Sequence, residues 1–210
     1  VAVDAAVRAR TVALLATGDI TESTSGGIAA DALLARSTGG DVLLEDGGND
    51  VRALAGSAAG SLSYRGAGDL AVAAVTASAL DAAGAPQAVS GAGVTADDAF
   101  VRATSGNLSI AAASAAAGGL SLQADTGHVA LGQSVQATTV ALLAGGDIRQ
   151  STSGTITADG LAARSTGGSV GLDQASNRVG TVAGGARDAF AYTDADALRI
   201  GEVTLPTLGS

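Results

Sequence analysis

Residues 12–40 read VALLATGDITESTSGGIAADALLARSTGG, and residues 140–168 read VALLAGGDIRQSTSGTITADGLAARSTGG. The two strings lie 128 residues apart and align without a gap, and the correspondence extends from residues 1–80 onto residues 129–208. Between Val12–Val75 and Val140–Val203 about half of the positions are identical. Chance does not produce this, so the chain is a repeat protein. A third, weaker copy subdivides the long one. The run from Gly93-Val94-Thr95-Ala96-Asp97 to Ser105-Gly106-Asn107-Leu108 matches the run from Thr155-Ile156-Thr157-Ala158-Asp159 to Gly167-Gly168-Ser169-Val170.

Inside the long repeat the grain is finer. Val12/Leu14, Leu33/Ala35, Val42/Leu44, Leu62/Tyr64 and Leu70/Val72 are apolar at alternate positions, the pattern of half-buried strands. Between them lie Gly18-Asp19, Ser25-Gly26-Gly27, Gly39-Gly40, Gly47-Gly48-Asn49 and Gly66-Ala67-Gly68-Asp69, residues suited to turns and to positive φ. Short strands at this spacing fit an antiparallel sandwich or a parallel β-helix. A sandwich has no reason to repeat its side-chain pattern, whereas each rung of a solenoid rests on the next. The expectation is an all-β chain, a single-stranded parallel β-helix. A rung of about 20 residues gives about ten rungs and a stack of roughly 50 Å. Residues 1–210 read as one segment of a longer protein, with long repeats 1–80 and 129–208 and an irregular region 81–128. Within the latter, Ala82 to Gly93, with Pro86 and Gly91-Ala92-Gly93, is expected to bulge from one face as a loop. The N-terminal Val1 enters in repeat phase with Val129, and neither it nor the tail Leu205-Pro206-Thr207-Leu208 reads as a polar cap.

Composition agrees with a narrow bore. The chain has 49 Ala and 31 Gly, but two Phe, two Tyr and no Trp, Met or Cys, so the interior must be built from Ala, Val, Leu and Ile. Twenty acidic residues against eleven basic ones, all Arg, give a formal charge of −9. Nucleic acid is not an expected partner, because a phosphate backbone needs clustered positive charge and Arg36, Arg102 and Arg164 stand singly. Absence of cysteine is compatible with export. No 18-residue apolar run reads as a membrane helix.

Several strings together resemble the degenerate repeats of filamentous haemagglutinin-type large exoproteins. They are Gly18-Asp19-Ile20-Thr21, Gly146-Asp147-Ile148-Arg149-Gln150, Gly154-Thr155-Ile156-Thr157-Ala158-Asp159-Gly160-Leu161, Asn177-Arg178-Val179 and Ala197-Leu198-Arg199-Ile200. The resemblance covers essentially the whole chain. It implies a right-handed parallel β-helix forming the shaft of a secreted or surface-attached adhesin of a two-partner secretion system. It further implies an outer-membrane transporter as partner during export, a glycan or protein receptor on a host cell or surface, and neither cofactor nor catalytic residue.

Parallel β-helices also host polysaccharide-processing enzymes, so the candidate chemistry must be weighed. Asp97 and Asp98 form a paired carboxylate, and Gly127-His128 holds the only histidine. A glycosidase needs two carboxyl groups flanking one bond, but adjacent residues on a strand point to opposite faces. Asp97 also matches Asp31 and Asp159, which recur with the rung pattern. A polysaccharide-binding or polysaccharide-processing β-helix, with the Ala82–Gly93 loop, Asp97, Asp98 and His128 bordering a groove, is the alternative to the shaft. Gly47-Gly48-Asn49-Asp50 has the look of a Ca²⁺-binding turn, but its counterpart Ala175-Ser176-Asn177-Arg178 replaces the carboxylate with Arg178. Asn49 and Asn177 fit a left-handed turn or an Asn ladder, and the Asp19/Asp147 and Asp31/Asp159 pairs fit turn chemistry. His128 has no second His or Cys with which to share a metal. No catalytic, cofactor-binding or metal-binding residue is expected.

Overall fold

The computed structural model describes residues 1–80 and 83–205. These form twenty-four short strands and no helix. Nearly all of them belong to one parallel coil of three faces. One face can be followed along its whole height. It stacks Ala2–Val3, Ile20–Glu22, Val42–Leu44, Leu62–Gly66, Ala99–Ala103, Gly119–Ala124 and Thr139–Ala144, then the second halves of Ile156–Ser165 and Arg178–Gly185, and finally Arg199–Ile200. Those nine parallel steps give about nine turns and a height of about 43 Å. The expected ten rungs divided the whole length by one rung, whereas Ala74–Leu80 and Pro86–Ala92 leave the coil.

The bore is filled by the alternation read from the sequence. Ile20, Val42, Leu62, Ala99, Leu120, Val140, Leu161 and Val182 stack in register and are buried. Two residues along each strand, Leu44, Tyr64, Val101, Leu122, Leu142 and Ala163 form a second buried stack. Each fully buried Val, Leu or Ile contributes about 1.5–3 kcal/mol, and repetition over many turns substitutes for a broad aromatic core. Tyr64 is the exception in this stack, 2% exposed. The coil accommodates it because position 66 is glycine: a Cβ there would stand 2.7 Å from Tyr64 Oη and 3.1 Å from the Asn49 carbonyl oxygen.

The corner glycines act differently from expectation. Among the described residues only Gly68, Gly84 and Gly93 have positive φ. At several other corners glycine is needed because the turn below comes too close for a side chain, although Gly18 has open space around it. A Cβ on Gly106 would overlap the Gly68 backbone, and one on Gly127 would overlap that of Gly106.

The repeat itself is out of phase with the coil. Five register steps carry Ile20 to Val140 through Val42, Leu62, Ala99 and Leu120. Its sequence counterpart, Ile148, lies one face further on, stacked between Val129 and Val170. The 128-residue period therefore spans five and one-third turns plus the excursion at 74–92, and the two long copies face different directions. The third copy is in phase: Thr95 reaches Thr157 in three steps through Ala115 and Gln136.

Residues 74–80 and 86–92 form an antiparallel hairpin, Ala74–Leu80 paired with Pro86–Ala92. It does not bulge as a loop. It folds back over the outside of the face made by 11–16, 32–37 and 53–57, burying Leu34, Ala55 and Val75 in a second apolar cluster flanked by Ala32, Ala53 and Val89. Arg36 Nη2 donates to the Ser90 carbonyl at 2.6 Å. The rest of the 81–128 stretch, from Val94 onward, coils regularly. Ala82 and the tail 206–208, to which part of the sequence reading applied, lie outside the described residues.

Candidate functional site

The polar residues singled out by sequence sit mostly at the corners, where each turn leaves backbone N–H groups that the strand ladders do not satisfy. Asp19 Oδ1 accepts from Asp41 N at 2.9 Å, and Asp41 Oδ1 from Ser61 N at 2.7 Å. A longer chain of the same kind climbs a corner of the upper turns. Asp69 accepts from Asn107 N, Asn107 Oδ1 from His128 N, His128 Nδ1 from Asp147 N, and Asp147 Oδ1 from Ser169 N, at 2.7, 2.9, 2.7 and 2.8 Å. The Ser169 N–H and then the nearby Arg149 guanidinium hold the Asp147 carboxyl below its ordinary range. His128 serves here as an acceptor in this ladder. Three residue types perform one task, which is why no single motif marks it.

Asp98 belongs to the same scheme, since its Oδ1 accepts from Gly119 N at 2.6 Å. Asp97 is exposed beside it. Both precede Ala99–Ala103, whereas His128 follows Gly119–Ala124 at the other end of the same face. A strand of five residues separates the two corners, about 16 Å. The hairpin covers a different face, so the structure does not bring the loop, Asp97, Asp98 and His128 to one groove. Asp31 pairs with Arg52 at 3.5 Å on the surface. Gly47-Gly48-Asn49-Asp50 closes on itself, with Asp46 Oδ1 accepting from Gly48 N at 2.7 Å, and no cluster of three or more metal-ligating side chains occurs among the described residues.

Asn49 and Asn177 correct the sequence reading. Neither has positive φ and they do not stack on one another; each is wholly buried, 0% exposed, and joins three turns. Asn49 Oδ1 accepts from Ile28 N at 2.7 Å, while Nδ2 donates to Glu22 Oε2, to the Arg65 carbonyl and to the Leu44 carbonyl. Asn177 repeats this with Ile156 N, Gln150 Oε1, and the Thr193 and Leu172 carbonyls. Burial pushes the Glu22 carboxyl above its ordinary range, opposed by hydrogen bonds from Asp46 N and the Asn49 amide. Its Oε1 is buried without a partner.

One outer surface differs from the rest. On the face of 62–66, 99–103 and 119–124, the outward rows are Ser63, Phe100 and Ser121 and, two residues along, Arg65, Arg102 and Gln123. Phe100 is half-buried there, and a groove of about 290 Å³ runs beside it between Glu45, Arg65, Arg102 and Gln123. The groove's polar walls are braced. Arg102 grips Asp125 with Nε and Nη2 at 2.7–3.1 Å, Gln123 Nε2 donates to Asp125 at 2.8 Å, and Ser63 donates to Glu45. The Arg102 hydrogen bonds hold the Asp125 carboxyl below its ordinary range. Sequence reading missed this group because Arg65, Phe100 and Gln123 meet only once the register across the hairpin is known.

The chain matches no known protein family, no curated protein and no solved structure.

Proposed function

We propose that this coil is a non-catalytic shaft segment of a secreted, surface-associated bacterial adhesin of the haemagglutinin-like exoprotein kind. What carries this reading is the use of the polar side chains. Over about nine turns the corner Asp, Asn and His residues are engaged with the N–H groups of the next turn, the work of a rod that must stay stiff. The strings that resemble filamentous haemagglutinin repeats supply the finer part: export through an outer-membrane transporter and attachment, through the parent protein, to a glycan or protein receptor. Antibody raised against the purified chain is expected to label intact cells of the source organism, and surface proteolysis to remove the label. Labelling only after permeabilisation would overturn the proposal.

A further inference from the structure

We infer that His128 makes one corner of the coil respond to pH. Unprotonated, it ties its own turn to the backbone of Asp147; protonated, it releases the Asp147 N–H and turns to the Asp147 carboxylate. The inference goes beyond the proposed function and does not depend on it. Its ground is a count of lone pairs. A carboxyl or amide group keeps an oxygen lone pair for an N–H in either charge state, so Asp69, Asn107 and Asp147 remain acceptors throughout. The imidazole Nδ1 has a single lone pair, and His128 uses it to accept from Asp147 N at 2.7 Å. A proton on Nδ1 takes that same lone pair, so the hydrogen bond and the imidazolium exclude each other. Histidine is the side chain that changes charge between about pH 5 and 8, and this is the only one in the chain. Its side chain is 51% exposed, so protons reach it from solvent.

The surroundings decide where the protonated ring goes. From the turn above, Asp147 Oδ2 lies 3.5 Å from Nδ1 and also accepts from Arg149 Nη2, while Oδ1 accepts from Ser169 N. The turn below presents the uncharged Asn107, which accepts from His128 N. On the turn of His128 itself, Asp125 is gripped by Arg102. The Asp147 carboxylate is therefore the group that a proton on Nδ1 meets, and it stays charged because its carboxyl is held below the ordinary range. The ring packs directly on backbone at residue 146, where a Cβ would stand 2.6 Å from Nδ1. The response is local. Gly146 N donates to the Gly127 carbonyl at 2.7 Å and Ile148 N to the Ser169 carbonyl at 2.9 Å. Neither acceptor titrates, and Val129–Leu131 stays paired with Ile148–Gln150, so one link opens while the coil stays closed.

The test is NMR of the isotopically labelled 210-residue chain, titrated across the range from about pH 8 to about pH 5. At the upper end the ring nitrogens should report a neutral imidazole carrying its hydrogen on Nε2. As the ring titrates, the Asp147 amide proton should move upfield along the same curve. Its exchange protection, corrected for intrinsic exchange at each pH, should fall about fivefold, while the flanking Gly146 and Ile148 amides keep theirs. His128→Asn supplies an acceptor that does not titrate, as Asn107 does one turn below, and should keep the Asp147 amide protected at both ends of the range. His128→Ala should leave it unprotected at both, with circular dichroism unchanged. An Asp147 amide that stays still while the ring titrates, a neutral ring with its hydrogen on Nδ1, or the same pH response in His128→Asn would overturn the inference.

Discussion

Replacing Glu22 by Gln should stabilise the fold at neutral pH, and the second repeat shows why. Gln150, its counterpart, accepts at Oε1 from Gln174 N and Asn177 Nδ2, and donates from Nε2 to the Gly154 carbonyl and Asn177 Oδ1. Glu22 Oε2 reproduces the first pair, accepting from Asp46 N at 2.9 Å and Asn49 Nδ2 at 2.8 Å. Its Oε1 stands where Gln150 has a donor, and is buried with no partner. An orphaned buried polar atom costs about 1–3 kcal/mol, and partial exposure of the residue brings the expected gain to about 1–2 kcal/mol. For a chain of this size that is roughly a 2–8 °C rise in Tm. Because the native carboxyl is raised above its ordinary range, the native state binds more protons than the unfolded state between the two values. The wild-type contribution is thus fully present at acidic pH and is lost as pH rises. Urea unfolding at pH 4 and pH 7 should show nearly equal stabilities for wild type and variant at the lower pH, with the gap opening at the higher one. A gap that is constant with pH, or a Gln variant less stable at pH 7, would refute the argument.

Three further perturbations address other parts of the coil. Asn177→Ala leaves Ile156 N and the Thr193 carbonyl without their amide partner, and should cost about 2–4 kcal/mol in denaturant unfolding; a loss below about 0.5 kcal/mol would show that water replaces the amide. Gly66→Ala should cost about 1–3 kcal/mol by overpacking Tyr64, and a double-mutant cycle with Tyr64→Leu should show coupling of more than about 0.5 kcal/mol, whereas additivity would place the clash elsewhere. Leu34→Ala removes the largest side chain beneath the hairpin. Hydrogen exchange of amides 74–80 and 86–92 should accelerate while the coil strands keep their protection, and uniform acceleration would mean that the hairpin and coil unfold together.

The coil was legible because its cause is periodic: the inward stacks from Val42/Leu44 and Leu62/Tyr64 onward are the alternate apolar positions of the sequence. The hairpin was less so. One signal lies in a difference between copies, Leu34 against Ala162, and an extra outward leucine shows a covered surface only when its direction is known. The corner ladder was hidden for another reason. Any short side chain with an acceptor suffices, so Asp69, Asn107, His128 and Asp147 share a role across three residue types. The Phe100 groove required a register that skips the hairpin to join residues 65 and 102, a step that no local pattern contains.

The fractional phase of the long repeat has a mechanical meaning for a fibre. Were the period a whole number of turns, duplicated segments would present identical stripes along one side, and shafts lying against each other would adhere as flat bundles. An offset of five and one-third turns instead winds each duplicated patch around the rod like the thread of a screw. Successive copies in such an array point along three bearings, so a flat substratum meets only every third one, while a crowd of neighbours can be gripped from all sides.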